Sequence, residues 1–457
     1  MKIPMRWTVL RQLAISCAVI ALLLPAGART RPHYGGTLRV EIEDDPWQRP
    51  GGLARTLVLD GLTAIRADGA AHPALAIEWK SEDDNHRWQF RLRPAVHFHD
   101  GTPLSSANVV ASLTAVCGAR CPWATVHAVG SSVVFAVDEP LPNLPELLAG
   151  DEYRIALTGS EGNTSQPSVI GTGPFSFASS ANGLLTLTAN DDCWQGRPFL
   201  DKIEIRSHRS VHDQWLDLSV GRADLVDVPG EQTREARDQR LNIIVSPPVS
   251  LLTLAVSDSG TLANPNLRAA VALAVDRNAL SNVIFQKQGE ITASLLPAEV
   301  TGYAFLFSTE RNLDRAHELR GGATPPPLAL AARGGAAMQL AAQRIALNLR
   351  DAGLNVQVVA AGGAQHVDLT LMRLTLESNQ AQPGLEFILR AAGFALPVVE
   401  QSPAGLYKVE RQVVDSHMLI PLLYLPRSYA VGGRVRDLRL SPDGTPMLAC
   451  VSLEDAP

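Results

Sequence analysis

The chain has 457 residues, 46% of them hydrophobic, enough for two or three domains with cores of their own. Acidic residues number 46 against 40 basic ones, a formal net charge of −6, and a surface of that sign argues against nucleic acid as a partner.

The N-terminus sets the compartment. Lys2, Arg6 and Arg11 lead into an apolar run from Leu13 to Leu24, closed by Pro25 and Ala26-Gly27-Ala28. A basic start, a short apolar core and a small-residue site predict a secretory signal peptide over 1–28. The run is interrupted by Ser16 and is shorter than the ~20 residues a span requires. Ala14-Ile15-Ser16 lacks the leucine usual three places before a lipidated Cys, so no lipid anchor is expected at Cys17. Cleavage removes three basic residues and leaves 37 basic against 46 acidic, a net of −9. Cys117, Cys121, Cys193 and Cys450 remain. An oxidising compartment permits disulfides among them, with three complete pairings open.

In chain order, Leu38, Val40 and Ile42 alternate with charged residues and predict a half-buried strand. The stretch from Trp88 to Leu113 is the most patterned. Trp88, Phe90 and Leu92 alternate with Gln89, Arg91 and Arg93, and Val96 and Phe98 resume the alternation against His97 and His99, which predicts a hairpin turning at Pro94. Asp100-Gly101 ends it, and Ser105 is placed to cap a helix carrying Val109, Val110 and Leu113. Gly171-Thr172-Gly173-Pro174-Phe175 is a turn and not a phosphate loop, since Pro174 lacks an N–H and no Lys-Ser or Lys-Thr follows. Pro247-Pro248 marks a crossing between lobes, because neither proline can donate to a sheet ladder. Leu267, Val271, Ala274 and Val275 share one face of a helix that ends in Asp276-Arg277, expected to hydrogen-bond locally. Leu328 to Ala331, Met338 to Leu349 and Leu354 to Val359 form a strand-helix-strand unit, which favours parallel pairing. Asp368 to Met372 is the next buried strand.

These segments together resemble the family 5 extracellular solute-binding proteins, the peptide, nickel and opine receptors of ABC importers. The match is carried by Leu92-Arg93, then Val96-His97-Phe98-His99-Asp100-Gly101-Thr102-Pro103, then Val109-Val110-Ala111-Ser112, with Asn108 where an acidic residue is usual. Gly35-Gly36-Thr37-Leu38, Gly171-Thr172-Gly173-Pro174-Phe175, Trp194-Gln195-Gly196-Arg197-Pro198 and Ile420-Pro421-Leu422 extend it over nearly the whole chain beyond the leader. The resemblance implies an α/β, two-lobed, periplasmic binding protein type II-like fold with an extra N-terminal subdomain. The expected boundaries are 29–57, 167–247 and 428–457 for lobe I, 58–166 for its inserted subdomain and 248–427 for lobe II. It also implies a periplasmic protein, expected as a monomer, that closes on a small-molecule or peptide-like solute and delivers it to an ABC permease and ATPase.

The implied cleft residues are Asp45 and Trp47 in the loop after the first strand, Ser257 where the family has Asn after its inter-lobe strand, and Arg373, Thr375 and Glu377. The last three stand where the family usually carries Trp-x-x-Asp-Tyr-Pro-Asp-Pro, whose Asp pairs a peptide ammonium; this chain has RLTLESNQAQP over 373–383. Arg373 would favour a carboxylate-bearing solute by bidentate hydrogen bonding, whereas Glu377 could assume the missing acidic role. Cys117 and Cys121 are expected to pair, with a Cys193 to Cys450 bond the other possibility. His97 and His99 share a strand face but lack a third ligand at local spacing, so neither a metal site nor a cofactor is expected. With no G-x-S-x-G and no H-E-x-x-H, enzyme action is not expected. A degenerate receptor that senses without transporting, and a secreted hydrolase, are the competing readings.

Overall fold

The protein is described here from a computed structural model over residues 33–43, 45–47, 52–66, 69–117, 121–158, 169–301, 307–322, 325–360, 362, 366–376, 381–394 and 403–454. The expected signal peptide and Glu377 lie outside these residues, as does the side chain of Cys117.

The first strand, β1 (Thr37–Glu41), buries Leu38 and Val40 as its alternation requires. An inserted subdomain follows. Its sheet contains β2 (Ala76–Glu82), β3 (Arg87–Leu92), then after helix α1 (Ser106–Cys117) β4 (Thr125–Val129) and β5 (Ser132–Ala136), ordered β2-β3-β5-β4. Trp88, Phe90 and Leu92 of β3 point into its core with Phe135, Val109 and Leu113.

The expected 88–99 hairpin does not form. Both edges of β3 are taken, by β2 and by β5, so Val96 and Phe98 bury their side chains from a separate small loop. That loop is closed by Phe98 N–H to Thr102 O (2.8 Å) and Leu104 N–H to Val96 O (2.9 Å) around Asp100-Gly101. The cap of α1 does form. Ser105 Oγ accepts from Asn108 N–H at 3.2 Å and Asn108 Oδ1 accepts from Ser105 N–H at 3.1 Å, so Asn108 completes a reciprocal capping box in place of an acidic residue.

The main sheet adds β6 (Phe175–Ala181), β7 (Leu184–Ala189), β8 (Lys202–Arg206), β9 (Leu225–Asp227) and the long β10 (Asn242–Val256). After helix α2 (Pro265–Ala274) come β11 (Leu328–Ala332), α3 (Ala336–Asp351), β12 (Val356–Val359), β13 (Leu369–Thr375), α4 (Ala381–Ala391), α5 (Pro403–Asp415) and the second long strand, β14 (Leu419–Val431). The order is β12-β11-β13-β10-β14-β9-β1-β8-β7-β6, with Glu290–Ile291 also paired to β14. β11 runs parallel to both β12 and β13, as the strand-helix-strand unit predicts. On α3, Met338, Ala341, Ala342, Ile345 and Leu349 are buried at helical spacing against this half of the sheet. Each large aliphatic side chain there contributes roughly 1.5–3 kcal/mol by leaving water.

The lobes meet where β10 and β14 cross from one half-sheet to the other. Pro248 stands opposite Pro426, and the register shifts on either side of Pro248. Two facing residues without N–H groups leave the ladder interrupted where the strands pass between lobes. The freed Pro426 carbonyl accepts instead from Arg373 Nη2 at 2.9 Å, and Arg427 N–H donates to Ser246 Oγ at 2.9 Å.

Asp276 and Arg277 do not pair with each other. Asp276 Oδ1 caps Ala279 N–H at 2.8 Å, while Arg277 is buried and donates from Nε to Pro421 O (3.0 Å) and Thr292 O (3.2 Å). Burial draws the Arg277 guanidinium down to about 10. Cys121, Cys193 and Cys450 are free thiols, so neither the expected bond to Cys121 nor the alternative between Cys193 and Cys450 is formed. Cys121 turns into the aromatic core of the inserted subdomain, where its sulfur packs as a small apolar group, and Cys193 is buried while Cys450 is exposed.

Candidate functional site

Parallel strands β1 and β9 lie side by side, with Glu41 opposite Val226. Their carboxyl ends open into a cleft, the position where open α/β sheets bind ligands. The cavity there contains about 460 Å³ of empty space, part of it continuous with solvent, and is lined among others by Glu41, Asp45, Asp227, Arg427, Tyr429 and Thr445. Arg427 and Tyr429 come from β14 just beyond Pro426, so the cavity adjoins the crossing between lobes.

Its polar groups are positioned by local structure. Asp227 Oδ2 accepts from Glu43 N–H (3.0 Å), and its backbone N–H is held by Gln214 Oε1 (3.0 Å). Arg427 donates to Thr445 Oγ1 at 3.2 Å, and its guanidinium lies 5.8 Å from the Tyr429 ring centre. Tyr429 is buried, and removal from water pushes its hydroxyl far above the usual phenol range. Glu41 is buried against Arg209 (3.4 Å) and Arg206 (3.6 Å). Burial, aided by nearby Asp217, raises its carboxyl nonetheless. Burial likewise raises Glu231, with Glu43 reinforcing the shift and Arg373 opposing it.

Two contacts cross to lobe II. A Cβ built on Gly335, the residue preceding α3, would lie 2.7 Å from Glu43 Oε1, so this lobe I carboxylate approaches the N-terminus of the helix, where negative charge is favoured. Arg390 of α4 meets Glu152 of the inserted subdomain at 3.1 Å.

The sequence-derived residues divide. Asp45 lines the cavity, its Oδ1 accepting from Trp47 N–H at 2.8 Å. Trp47 turns onto the lobe I core, its ring 6.5 Å from Phe177. Arg373 is exposed beside the crossing, and Thr375 shares a 3.0 Å hydrogen bond with Ser250. Ser257 follows β10 at the end away from Pro248, its hydroxyl hydrogen-bonded to that of Ser259, and it is not among the residues that line this cavity.

His99 is half-buried. Its Nδ1 accepts from Gly171 N–H (3.3 Å) and its Nε2 faces Gly173 O (3.0 Å). That fixes the neutral tautomer with the proton on Nε2, and burial lowers its pKa accordingly. Among the described residues no group of three or more His, Cys, Asp or Glu is arranged to hold a metal, and no helix is long and apolar enough to cross a membrane. Glu41, Asp227, Arg427 and Tyr429 were not singled out from sequence. Asp227 ends a short apolar strand after Gly221-Arg222-Ala223-Asp224, and only knowledge that β9 pairs parallel to β1 would have marked it.

Comparison with known proteins agrees with this geometry. A probable peptide ABC transporter periplasmic-binding protein, y4tO of Sinorhizobium fredii, is 26% identical over 284 residues, covering 55% of this chain and 51% of its own length. The HTH-type transcriptional regulator SgrR of Yersinia enterocolitica is 32% identical over 157 residues, 32% of this chain and 28% of the regulator. The chain thus spans about half the length of the first of these relatives and less of the second. The structure of the Escherichia coli murein tripeptide binding protein MppA superposes with a TM-score of 0.80 at 17% identity, covering 93% of this chain and 99% of that one, a likeness of fold. Residues 70–394 match the bacterial extracellular solute-binding proteins, family 5 Middle, and the chain belongs to that family.

Proposed function

We propose that this protein is a periplasmic receptor that captures a small polar, peptide-like solute between its lobes and delivers it to an ABC permease and its ATPase. The observation that carries the reading is the polar cavity at the carboxyl ends of β1 and β9, set beside the crossing where Pro248 faces Pro426. A ligand that touches both lobes favours the closed arrangement by its differential contacts, which is how occupancy would be signalled to a permease. Asp45, Thr375 and Arg373 are the sequence-derived residues assigned to the cleft, the positive charge of Arg373 favouring a carboxylate-bearing solute. The protein would reach the periplasm through a cleavable leader at 1–28, act as a monomer, and need no cofactor.

The test is mass spectrometry of small molecules released from natively purified protein. A stoichiometric polar solute, which rebinds after the protein is stripped, is expected; release of nothing, together with no rebinding from a crude solute extract, would contradict the reading. A second reading, a receptor that senses without transport, is favoured by the likeness to the regulator SgrR. Stimulation of a co-encoded permease and ATPase by the loaded protein separates the two.

A further inference from the structure

We infer that closure of the lobes is electrostatically polarised. Lobe I and its inserted subdomain present carboxylates across the cleft, at Glu43, Glu231 and Glu152, and lobe II meets them with the N-terminus of α3, Arg373 and Arg390. This rests on the reading of the molecule as a receptor whose lobes close, and goes beyond it by naming what holds the closed arrangement apart from any solute.

The first contact is built by local structure on both sides. Glu43 follows β1, and its N–H donates to Asp227 Oδ2 at 3.0 Å, which fixes its backbone beside β9. From there its carboxylate reaches Gly335, where a Cβ would lie 2.7 Å from Oε1 and 3.2 Å from both Cδ and Oε2. Glycine at 335 is what lets the carboxylate come this close. The helix it reaches, α3, is 16 residues long and has neither a side-chain N-cap nor an acidic residue in its first turn. The first N–H groups of a helix have no partner within it, and the helix dipole adds positive potential at that end. Lobe II thus supplies no negative charge of its own in the first turn of the helix that a lobe I carboxylate approaches.

The second contact lies at the inserted subdomain. Arg390 of α4 donates from Nη1 to Glu152 Oε2 at 3.1 Å, with the Tyr153 side chain as a further partner. The third adjoins the crossing. Burial raises the Glu231 carboxyl, Arg373 of β13 draws it down and Glu43 pushes it up, so two lobe I carboxylates stand near one lobe II cation. In all three contacts the negative partner belongs to lobe I and the positive one to lobe II. Glu386, one turn before Arg390 on α4, is an acidic group on the lobe II side, but burial raises its carboxyl and Gln382 Nε2 donates to it at 3.0 Å. Separated lobes leave these charges to water, so their attraction is gained only on closing, and salt screens it. Arg390 and Glu152 are 39% and 40% exposed, which keeps the effect of each contact modest.

The experiment measures closure without solute, on the full protein stripped of copurifying solute by unfolding and refolding. Nitroxides on ketone-bearing residues, which spare the native thiols, replace exposed Ser179 of lobe I and exposed Gln412 of α5, and double electron–electron resonance reads the distance between them. A closed population is expected at ~10 mM sodium chloride and should shrink at ~1 M, as the screening length falls from about 30 Å to about 3 Å. Glu43→Gln and Arg390→Gln should each lower the closed-to-open ratio roughly twofold to fivefold at low salt. Arg390→Glu should lower it further, and Glu152→Arg added to it should restore the ratio toward wild type, a rescue that damage to packing would not allow. No closed population at low salt, a ratio indifferent to salt, or a charge swap that fails to restore closure overturns the inference. Failure of solute capture itself is read separately, from the solute that native protein releases.

Discussion

Glu410, on α5, gives the sharpest test of the physical reasoning about the lobe II core. Its side chain is fully buried among apolar residues, with Oε1 accepting from the N–H groups of Leu295 and Leu296 and Oε2 left without a hydrogen-bond partner. Burial outweighs the two donors and pushes its carboxyl up to about 7 from an ordinary 4.5. The native protein therefore keeps a proton here that the unfolded chain loses above pH 4.5. The contribution to stability is undiminished below pH 4.5, falls as pH rises from there to about 7, and is flat beyond. At 1.36 kcal/mol per pH unit the full loss is about 3 kcal/mol. Glu410→Gln keeps an acceptor for both N–H groups and cannot ionise, but adds an amide N–H₂ without an acceptor, at a cost of ~1–3 kcal/mol. The variant should be less stable than wild type at pH 4.5 and as stable or more so at pH 8. Other buried carboxyls with raised pKa, such as Glu231 and Glu386, tilt both proteins alike, so the difference between them isolates Glu410. Urea unfolding at both pH values measures it. A stability difference that does not change between pH 4.5 and pH 8 would refute the reasoning.

Further tests concern local structure. Ser105→Ala removes an acceptor from the capping box of α1 and should lower stability by about 1 kcal/mol, read from denaturant midpoints. Gly171→Ala places a Cβ 2.0 Å from Val58 O, a backbone atom that cannot yield; destabilisation by more than ~3 kcal/mol, or failure to accumulate folded protein, is expected in thermal melts. Cys121 should react with a thiol reagent in unfolded, unreduced protein, and a Cys117–Cys121 crosslinked peptide by mass spectrometry would contradict the free thiol.

Local signals in the sequence led to local structure. The alternation of Trp88, Phe90 and Leu92, the cap at Ser105 and the parallel unit around Met338 to Leu349 all depend on neighbours within a few turns or one crossover, and each has the predicted form. Pairing at a distance was harder to read. Val96 and Phe98 carry the strand pattern, but β3 finds its partners at Ala76–Glu82 and Ser132–Ala136, and nothing near Pro94 announces that both edges are filled. Asp276 and Arg277 looked like one pair because they adjoin; Arg277 instead reaches carbonyls of Thr292 and Pro421. The site follows the same rule. Asp45 could be assigned to the cleft from its place after the first strand, whereas Tyr429 and Asp227 reach the cavity through pairing of β14 with β9, some 200 residues apart in the chain. Ser257 shows the limit of motif position, which says nothing of which end of a 15-residue strand adjoins the crossing.

The central claim, that two lobes joined through the Pro248 and Pro426 crossing close on a solute, is tested most directly by small-angle X-ray scattering. Stripped protein should be compared with protein saturated by the solute that it releases on native mass spectrometry. A smaller radius of gyration in the saturated sample is expected, and Arg390→Ala, which removes the 3.1 Å contact to Glu152, should diminish the change. Superimposable scattering profiles with and without solute at demonstrated saturation would contradict the account.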